Sequence, residues 1–334
     1  MHVIEDIMIM GAEQPLRSVR RDEQFLLAPP HPAKVALKLW SDHPPLSVVH
    51  FPQEYRAQPF APPRAVYESD QLRVEWQTMD NRQPFYHRNC DVDEISYQVG
   101  GERTLMTEQG VIEHRPGEFS RIPRGVAHDN YGRSESHLLF YVPAPVRELG
   151  AGIRQSQPLF PPFPGWVPSP WNEAITQCMG ARGHDVTVFP IDEQLLLDRV
   201  HEETDRIEVL RGCGTGVDWL YGNDQFRLGV VTFDADADAD ADAEVRRYRR
   251  NLDADEIHYQ ITGTRTLVSQ RGTVELGPGD FVRIPLGIAY TTVSTGAGEY
   301  ISLLSSTELP QIAPTDRTAQ LVSADQPASV KDHR

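Results

Sequence analysis

A long internal repeat constrains the fold of this chain more than any other feature. Residues 86–128 align without a gap on residues 248–290, and 23 of the 43 positions are identical. Chance does not produce such agreement, so the chain contains two copies of one structural unit. A chain of 334 residues is long enough to build a separate core for each copy.

The repeat continues upstream of this block. Residues 67–80 match residues 221–234, but the second copy contains eight additional residues before the alignment resumes. These residues fall on an alternating Asp-Ala run at 234–244. Because such a run buries almost no apolar surface and repels itself, we expect a solvated loop outside the folded unit.

Each copy has the sequence pattern of closely spaced β-strands. Four segments of the first copy are short, rich in β-branched or aromatic residues, and separated by Gly-containing turns: ISYQV, RTLMT, GVIEH and FSRIP. This pattern favours a sandwich or a closed barrel. We expect a first unit over residues 1–150, a Pro-rich connector and second unit over residues 151–308, and a mobile polar tail over residues 309–334.

The composition excludes several classes of protein. Lys plus Arg is 32 and Asp plus Glu is 48, so a net charge of −16 opposes binding to nucleic acid or to an anionic membrane. No apolar run is long enough to span a bilayer, and the N-terminus lacks the basic start of a signal peptide, so we expect a cytoplasmic protein. The three widely separated cysteines predict neither a disulfide framework nor a cysteine metal site. A small-molecule enzyme or binder is favoured, and we expect a homo-oligomer on base rates alone.

The stretch YHRNCDVDE places an imidazole, an amide and a carboxylate within eight residues: His87, Asn89 and Glu94. His87 and Asn89 are two residues apart, so they face the same way on a strand. His128 follows a later strand and a Pro-Gly turn. In a small barrel these groups can point inward to one metal ion, whereas the alternative is a polar turn between strands.

These residues resemble a known pair of motifs. H-x-N-x4-E at 87–94 and G-x5-P-x-G-x2-H at 117–128 resemble the two cupin motifs, with Asn89 where the second histidine of the first motif would stand. The resemblance covers both repeats. It implies a bicupin, an all-β protein of two tandem cupin (double-stranded β-helix, jelly-roll) barrels.

A narrower resemblance lies at residues 86–90, which are similar to the iron-binding segment of homogentisate 1,2-dioxygenases. It implies that His87, Glu94 and His128 hold Fe(II) and that O₂ opens the ring of a dihydroxylated aromatic substrate; homogentisate, gentisate and hydroquinone are candidates. This sequence departs from that family in three ways: one extra residue between His87 and Glu94, a shorter chain, and a metal site in the first repeat. Two imidazoles and a carboxylate leave open positions on an octahedral iron, which suits this chemistry.

The second copy has lost both imidazoles. Arg249 replaces the first histidine and Tyr290 replaces the second, while Asn251 and Glu256 remain. We therefore expect no metal in the second barrel, and a salt link between Glu256 and Arg249 as its replacement.

Comparison of the copies also sorts the other candidates. Ser96 and Trp76 occur only in the copy with the histidines, so they are candidates, with Asn89, for contact with substrate or O₂. The alternative for Asn89 is support of a metal ligand, and the alternative for Trp76 is a place in the core. Arg103 and Gln98 recur in the second copy, which favours a packing role. His114 lies beside a turn, where we expect it to be exposed.

Two other functions remain open at this point. One is a non-redox cupin isomerase that uses Mn or Zn as a Lewis acid, and the other is a ligand-binding bicupin without turnover. Asn89 at the second-histidine position weighs against enzymes that bind Mn with four protein ligands.

Overall fold

The structure is a computed structural model, and it describes residues 1–28, 44–57, 64–83, 86–158, 173–179, 205–214, 216–234 and 245–321. Within these ranges it contains one helix of five residues and 24 strands. The predicted fold class, all-β with two tandem cupin-type barrels, is confirmed. Most of the predicted acidic loop (235–244) and of the Pro-rich connector (159–170) lies outside the described residues.

The elements follow one another along the chain in three groups. The N-terminal arm consists of β1 (His2–Met8), β2 (Arg17–Asp22), α1 (Glu23–Leu27) and β3 (Ser47–His50). The first copy consists of β4 (Arg64–Glu68), β5 (Arg73–Met79), β6 (Tyr86–Asn89), β7 (Asp93–Thr107), β8 (Gly110–His114), β9 (Phe119–Ile122), β10 (His128–Val142), β11 (Arg147–Glu148) and β12 (Arg154–Gln155). The remainder consists of β13 (Glu173–Thr176), β14 (Glu208–Leu210), β15 (Gly216–Gly222), β16 (Phe226–Phe233), β17 (Arg247–Asn251), β18 (Asp255–Thr262), β19 (Arg265–Ser269), β20 (Gly272–Leu276), β21 (Asp280–Ile284), β22 (Tyr290–Ser294), β23 (Gly298–Ser305) and β24 (Arg317–Thr318).

The two barrels have equivalent strand pairing. In the first barrel, β7 pairs with β8, β9 and β10, and β10 also pairs with β5 and β6. In the second barrel, β18 and β19 together take the place of β7, while β22 and β23 take the place of β10. The sequence repeat is therefore also a structural repeat.

The two copies share a turn geometry that requires glycine at one equivalent position. Gly101 has a φ of +69° and Gly263 has a φ of +71°. A Cβ atom on Gly101 would lie 2.4 Å from the carbonyl oxygen of Ser134 on the neighbouring strand. Only glycine tolerates both this φ and this close approach, so the position is fixed in each barrel.

The arms that precede the two barrels are exchanged between them. β1 pairs in parallel with β17 and β3 pairs with β21, so the N-terminal arm lies on the second barrel. β13 pairs in parallel with β6 and β14 pairs with β9, so the arm of the second copy lies on the first barrel. The registers are equivalent, with Met8 beside Asn251 and Thr176 beside Asn89.

Backbone contacts around the arms repeat in the same way. The N–H of Leu252 donates to the carbonyl of Met8 at 3.0 Å, and the N–H of Cys90 donates to the carbonyl of Thr176 at 2.9 Å. The structural repeat thus includes the arms, whose similarity the sequence comparison did not detect.

The two faces of the barrel strands have different environments. On β7, Glu94 and Ser96 point into the first barrel, whereas Ile95 and Tyr97 belong to the largest apolar cluster. This cluster lies between the barrels and takes residues from both, including Ile257 and Leu303. The hydrophobic core that stabilises the molecule is therefore mainly the interface between the barrels. The part of the first barrel's interior around Glu94 and Ser96 is polar.

Two parts of the predicted domain division differ in the structure. The sheets do not divide at residue 150, because the N-terminal arm lies on the second barrel and β12, β13 and β14 lie on the first. Part of the predicted mobile tail is also folded. β24 pairs with β3, and Ala319 is buried in the core of the second barrel, whereas residues 322–334 lie outside the described residues.

The exchange predicts that neither half of the chain folds alone. A fragment of residues 1–158 lacks β13 and β14, so the edges of β6 and β9 would be exposed to water or to aggregation. Co-expression with residues 159–334 should give a soluble one-to-one complex, because each half supplies the arm that the other needs. Size-exclusion chromatography with mass detection and circular dichroism test this. A monomeric 1–158 fragment with cooperative thermal unfolding would contradict the prediction.

Candidate metal centre

Three strand ends bring His87, Glu94 and His128 together inside the first barrel. His87 lies on β6 directly opposite His128 at the start of β10, and Glu94 begins β7. One ligand atom from each residue lies within 4.8 Å of the other two, and the structure as described contains no other group of three such residues. Glu94 and His128 are buried, whereas His87 is partly exposed, so the group is reached from the His87 side.

The imidazole of His128 is oriented for a cation. Its Nδ1 atom donates to the carbonyl of Val126 at 3.0 Å, which directs Nε2 at Glu94, 3.4 Å away. Ligand atoms at right angles around a metal at about 2.1 Å lie about 3 Å apart, so this spacing fits a bound ion. The buried Nε2 atom makes no hydrogen bond with the described residues. The donor set therefore fits a divalent metal.

The other histidine is held by an amide. Nδ1 of His87 lies 2.8 Å from the Gln83 amide, and that amide also lies 3.3 Å from Asn130. In the structure Nε2 of Gln83 faces Nδ1 of His87, and Oε1 of Gln83 accepts from Nδ2 of Asn130. Coordination of a metal through Nε2 of His87 would require the opposite orientation of this amide, with its oxygen accepting from Nδ1–H. A partner on the second ring nitrogen is the usual means by which a protein orients a ligand histidine.

The charges around the triad also favour a cation. Burial, and then the charge of His128, lowers the pKa of His87 to about 3, so this imidazole is neutral near neutral pH. Burial alone would raise the pKa of Glu94, but the two histidines and Asn89 lower the pKa to about 2. Burial would lower the pKa of His128, yet the Glu94 carboxylate raises it. A metal ion that binds here takes the place of the His128 proton.

Asn89 contacts the same oxygen of Glu94, Oε2, that lies nearest to His128. Its Nδ2 atom donates to Glu94 at 2.8 Å, and its Oδ1 atom accepts from the Thr176 hydroxyl at 2.6 Å and from the Cys178 thiol at 3.2 Å. Because both contacts at Oδ1 are donors, the amide can only turn its N–H₂ group to the carboxylate. Of the two alternatives for Asn89, this geometry favours support of the Glu94 carboxylate over a contact with substrate or O₂.

Both oxygen atoms of the equivalent carboxylate in the second barrel accept hydrogen bonds from neighbouring side chains. Glu256 accepts from Asn251 at 2.8 Å, Tyr290 at 2.6 Å, His258 at 2.8 Å and Ser302 at 3.0 Å. The predicted salt link to Arg249 is wrong, because these four donors are the direct contacts of the carboxylate among the described residues. Burial would raise the pKa of Glu256, whereas His258 and then the charge of Arg249 lower it.

Two further residues predicted to contact substrate have different surroundings. Ser96 is buried on the same face of β7 as Glu94, and its hydroxyl lies 3.3 Å from that of Ser120. Trp76 lies on the opposite face of its strand, in the core between the barrels, stacked on Phe51 with ring centroids 4.8 Å apart. Trp76 therefore packs the core and does not stack on a ligand in the first barrel.

Sequence reasoning missed a group of buried polar residues near the triad. His114, expected to be exposed, is 0% exposed and faces Arg103. His137 bonds through Nδ1 to Glu135 at 2.9 Å. A comparison of the two copies could have indicated them. Positions 114 and 137 carry histidine in the first copy, whereas the equivalent residues in the second copy are Leu276 and Tyr300.

Comparisons with known proteins give fold similarity only. No family model matches the chain, and no curated protein matches it. A cupin 2 conserved barrel domain protein from Leptotrichia buccalis is similar over 75% of this chain and 92% of its own, with 9% identity and a TM-score of 0.45. Protein Ylba from E. coli is similar over 86% and 99%, with 10% identity and a TM-score of 0.46. The oxalate decarboxylase OxdC from Bacillus subtilis is similar over 80% and 79%, with 10% identity and a TM-score of 0.43. In the residues that the structure describes, no helix is long and apolar enough to cross a membrane.

The contacts of Asn89 predict its effect on metal retention. Asn89→Ala removes the donor that orients Glu94, and Thr176→Val removes a donor that orients Asn89, so each should weaken metal binding by about 10- to 100-fold. Competition with a chelator, followed by elemental analysis, measures this. Asn251→Ala is the matched control in the second barrel and should leave metal retention unchanged. Wild-type metal affinity in Asn89→Ala, with slower turnover alone, would instead support a contact with substrate.

Proposed function

We propose that the chain is an Fe(II)-dependent dioxygenase that opens the ring of a dihydroxylated aromatic compound in its first barrel. The observation that supports this most is the count of ligands. Two imidazoles and one carboxylate converge, and the fourth candidate, Asn89, uses its amide to hydrogen-bond Glu94. Three protein ligands leave positions open for a substrate and for O₂, whereas a closed structural site would use four.

The residues of the chain have separate tasks in this proposal. His87 and His128 bind the metal as neutral donors, and Glu94 offsets one of its positive charges. Iron held there would supply a place for both substrate hydroxyls and O₂ and would exchange electrons between them. Asn89 fixes the Glu94 carboxylate, and Ser96 keeps the side of the triad that faces the barrel interior free of a bulky side chain.

The surroundings also suit a reaction that must exclude water. Glu94 and His128 are buried among strands β6, β7 and β10, and only the His87 side is partly exposed. A substrate that enters from that side would cover the metal and complete the enclosure. Exclusion of water strengthens the interactions of the metal with anionic oxygen atoms.

Oxygen consumption tests the proposal. Protein that is purified without oxygen and loaded with Fe(II) should take up O₂ with at least one of homogentisate, gentisate, hydroquinone, catechol or 3-hydroxyanthranilate. The product should be a ring-opened acid that has gained both oxygen atoms. An oxygen electrode and mass spectrometry with ¹⁸O₂ make these measurements. No uptake with any of these compounds would contradict the proposal and would favour a cupin isomerase or binder.

Variants assign the activity to one barrel. His87→Ala should abolish both iron binding and oxygen uptake, because it removes one of three ligands. Tyr290→Phe, at the position equivalent to His128 in the second barrel, should leave both unchanged. Elemental analysis should give one iron per chain in the wild type and in Tyr290→Phe. Two metals per chain, or iron retained in His87→Ala, would show that the site is assigned wrongly.

A further inference from the structure

The interior of the first barrel contains a buried guanidinium group without a carboxylate partner. Arg103 on β7 is 1% exposed, and its one hydrogen bond joins Nη2 to Nδ1 of His114 at 3.2 Å. Its Nε atom has no hydrogen-bond partner, and across the described ranges no carboxylate forms an ion pair with it. Burial lowers the pKa of Arg103, and the charges of Glu135 and Glu94 oppose this shift, but neither carboxylate makes a direct contact with the guanidinium. Among the residues that the structure describes, the Nε–H group is therefore left without an acceptor, which a ligand could supply.

In the second barrel the equivalent arginine, Arg265, contacts neighbouring side chains through its Nε atom and its guanidinium plane. Nε of Arg265 donates to Oε1 of Gln260 at 2.7 Å, and the guanidinium lies over the Tyr300 ring at 3.7 Å. In the first barrel the equivalent atoms, Nε of Arg103 and Oε1 of Gln98, are both buried and both without a partner. Arg265 therefore has the packing role that the repeat predicted. In the first copy, Nε of Arg103 and Oε1 of Gln98 do not bond to each other.

A substitution beside the arginine explains the difference. In the second barrel the His258 imidazole bridges Arg265 at 3.0 Å and Glu256 at 2.8 Å. The equivalent residue in the first barrel is Ser96, whose side chain is too short to make such a bridge. Residue 96 therefore provides no side chain that joins Arg103 to Glu94 in the way that His258 joins Arg265 to Glu256.

The charges of this interior favour a monoanionic ligand. The strands direct two arginines and three carboxylates into it: Arg73, Glu75, Glu94, Arg103 and Glu135. Burial lowers the pKa of both His114 and His137, so they are neutral. The net charge is then −1, and a divalent metal changes it to +1. One ligand carboxylate balances that charge, whereas a neutral ligand does not.

We propose that Arg103 binds the carboxylate of a planar aromatic acid inside the first barrel, while the oxygen substituents of its ring face the triad. This inference names the substrate class of the proposed enzyme and rests on the proposed function for what happens at the triad. Binding of the acid requires no turnover, so the two can be tested separately.

Direct titration tests the acid-binding site. Full-length protein loaded with Zn(II), which is redox-inert, is titrated with benzoate and phenylacetate, and with benzamide as a neutral molecule of similar shape, by isothermal calorimetry. At least one acid should bind at least tenfold more tightly than benzamide. Arg103→Gln should weaken acid binding by about 10- to 100-fold, the loss expected for charge-assisted hydrogen bonds, with metal content unchanged. Arg265→Gln is the matched control and should bind the acid as the wild type does.

Further variants keep the test decisive. Where Arg103→Gln does not fold, Arg103→Lys retains the buried charge but loses the planar pair of N–H donors, and it should still weaken acid binding by at least fivefold. The inference is overturned if neither acid binds, if benzamide binds equally well, or if the Arg103 variants bind the acid as the wild type does. Acid binding without oxygen uptake would overturn only the proposed function, whereas cleavage of neutral diols without acid binding would overturn only this inference.

Discussion

The parallel pairing of β13 with β6 is the contact on which the candidate metal centre depends. β6 carries both His87 and Asn89, and without β13 its outer edge would expose unpaired backbone groups. The strand that covers this edge comes from the arm of the second copy, and it brings Thr176 and Cys178 to the Asn89 amide. The metal end of the first barrel is thus built from both copies. The second copy contributes to the site although it has lost the ligands.

The two barrels show two ways to stabilise the same buried carboxylate. Each places an Asn–Glu pair at the same strand positions, with the amide 2.8 Å from the carboxylate in both. In the second barrel three more donors complete the shell of Glu256, so the charge is satisfied without an ion. In the first barrel two imidazoles replace the arginine and the tyrosine, and Glu94 is left for a cation. A few substitutions therefore separate a barrel whose carboxylate is fully hydrogen-bonded from one with a candidate metal centre.

The sequence predicted most of the barrel framework and the triad, because the strands and turns of residues 86–128 recur in order and their ends converge on His87, Glu94 and His128. It could not predict the exchange of arms. The two similar barrels have equivalent strand edges, and no local sequence pattern indicates which of the two arms pairs with the edge of which barrel. The sequence also could not decide between a core position and a ligand contact for Trp76, because both faces of β5 are mostly buried and alternation of polarity gives no signal. The inward direction of Arg103 was missed for a similar reason, since its recurrence in the second copy suggested packing alone.

The apolar core between the barrels explains how the first barrel can hold a polar interior. A barrel that directs charged groups inward loses the usual source of its stability, because those groups must be removed from water without burying hydrocarbon. Here the outer faces of β5, β7 and β10 supply that hydrocarbon, and the second barrel covers them. The second barrel and its exchanged arm therefore stabilise the molecule from outside the site. The interior of the first barrel is consequently free to carry the metal ligands and a buried arginine that a single barrel of this size would hold only at a considerable loss of stability.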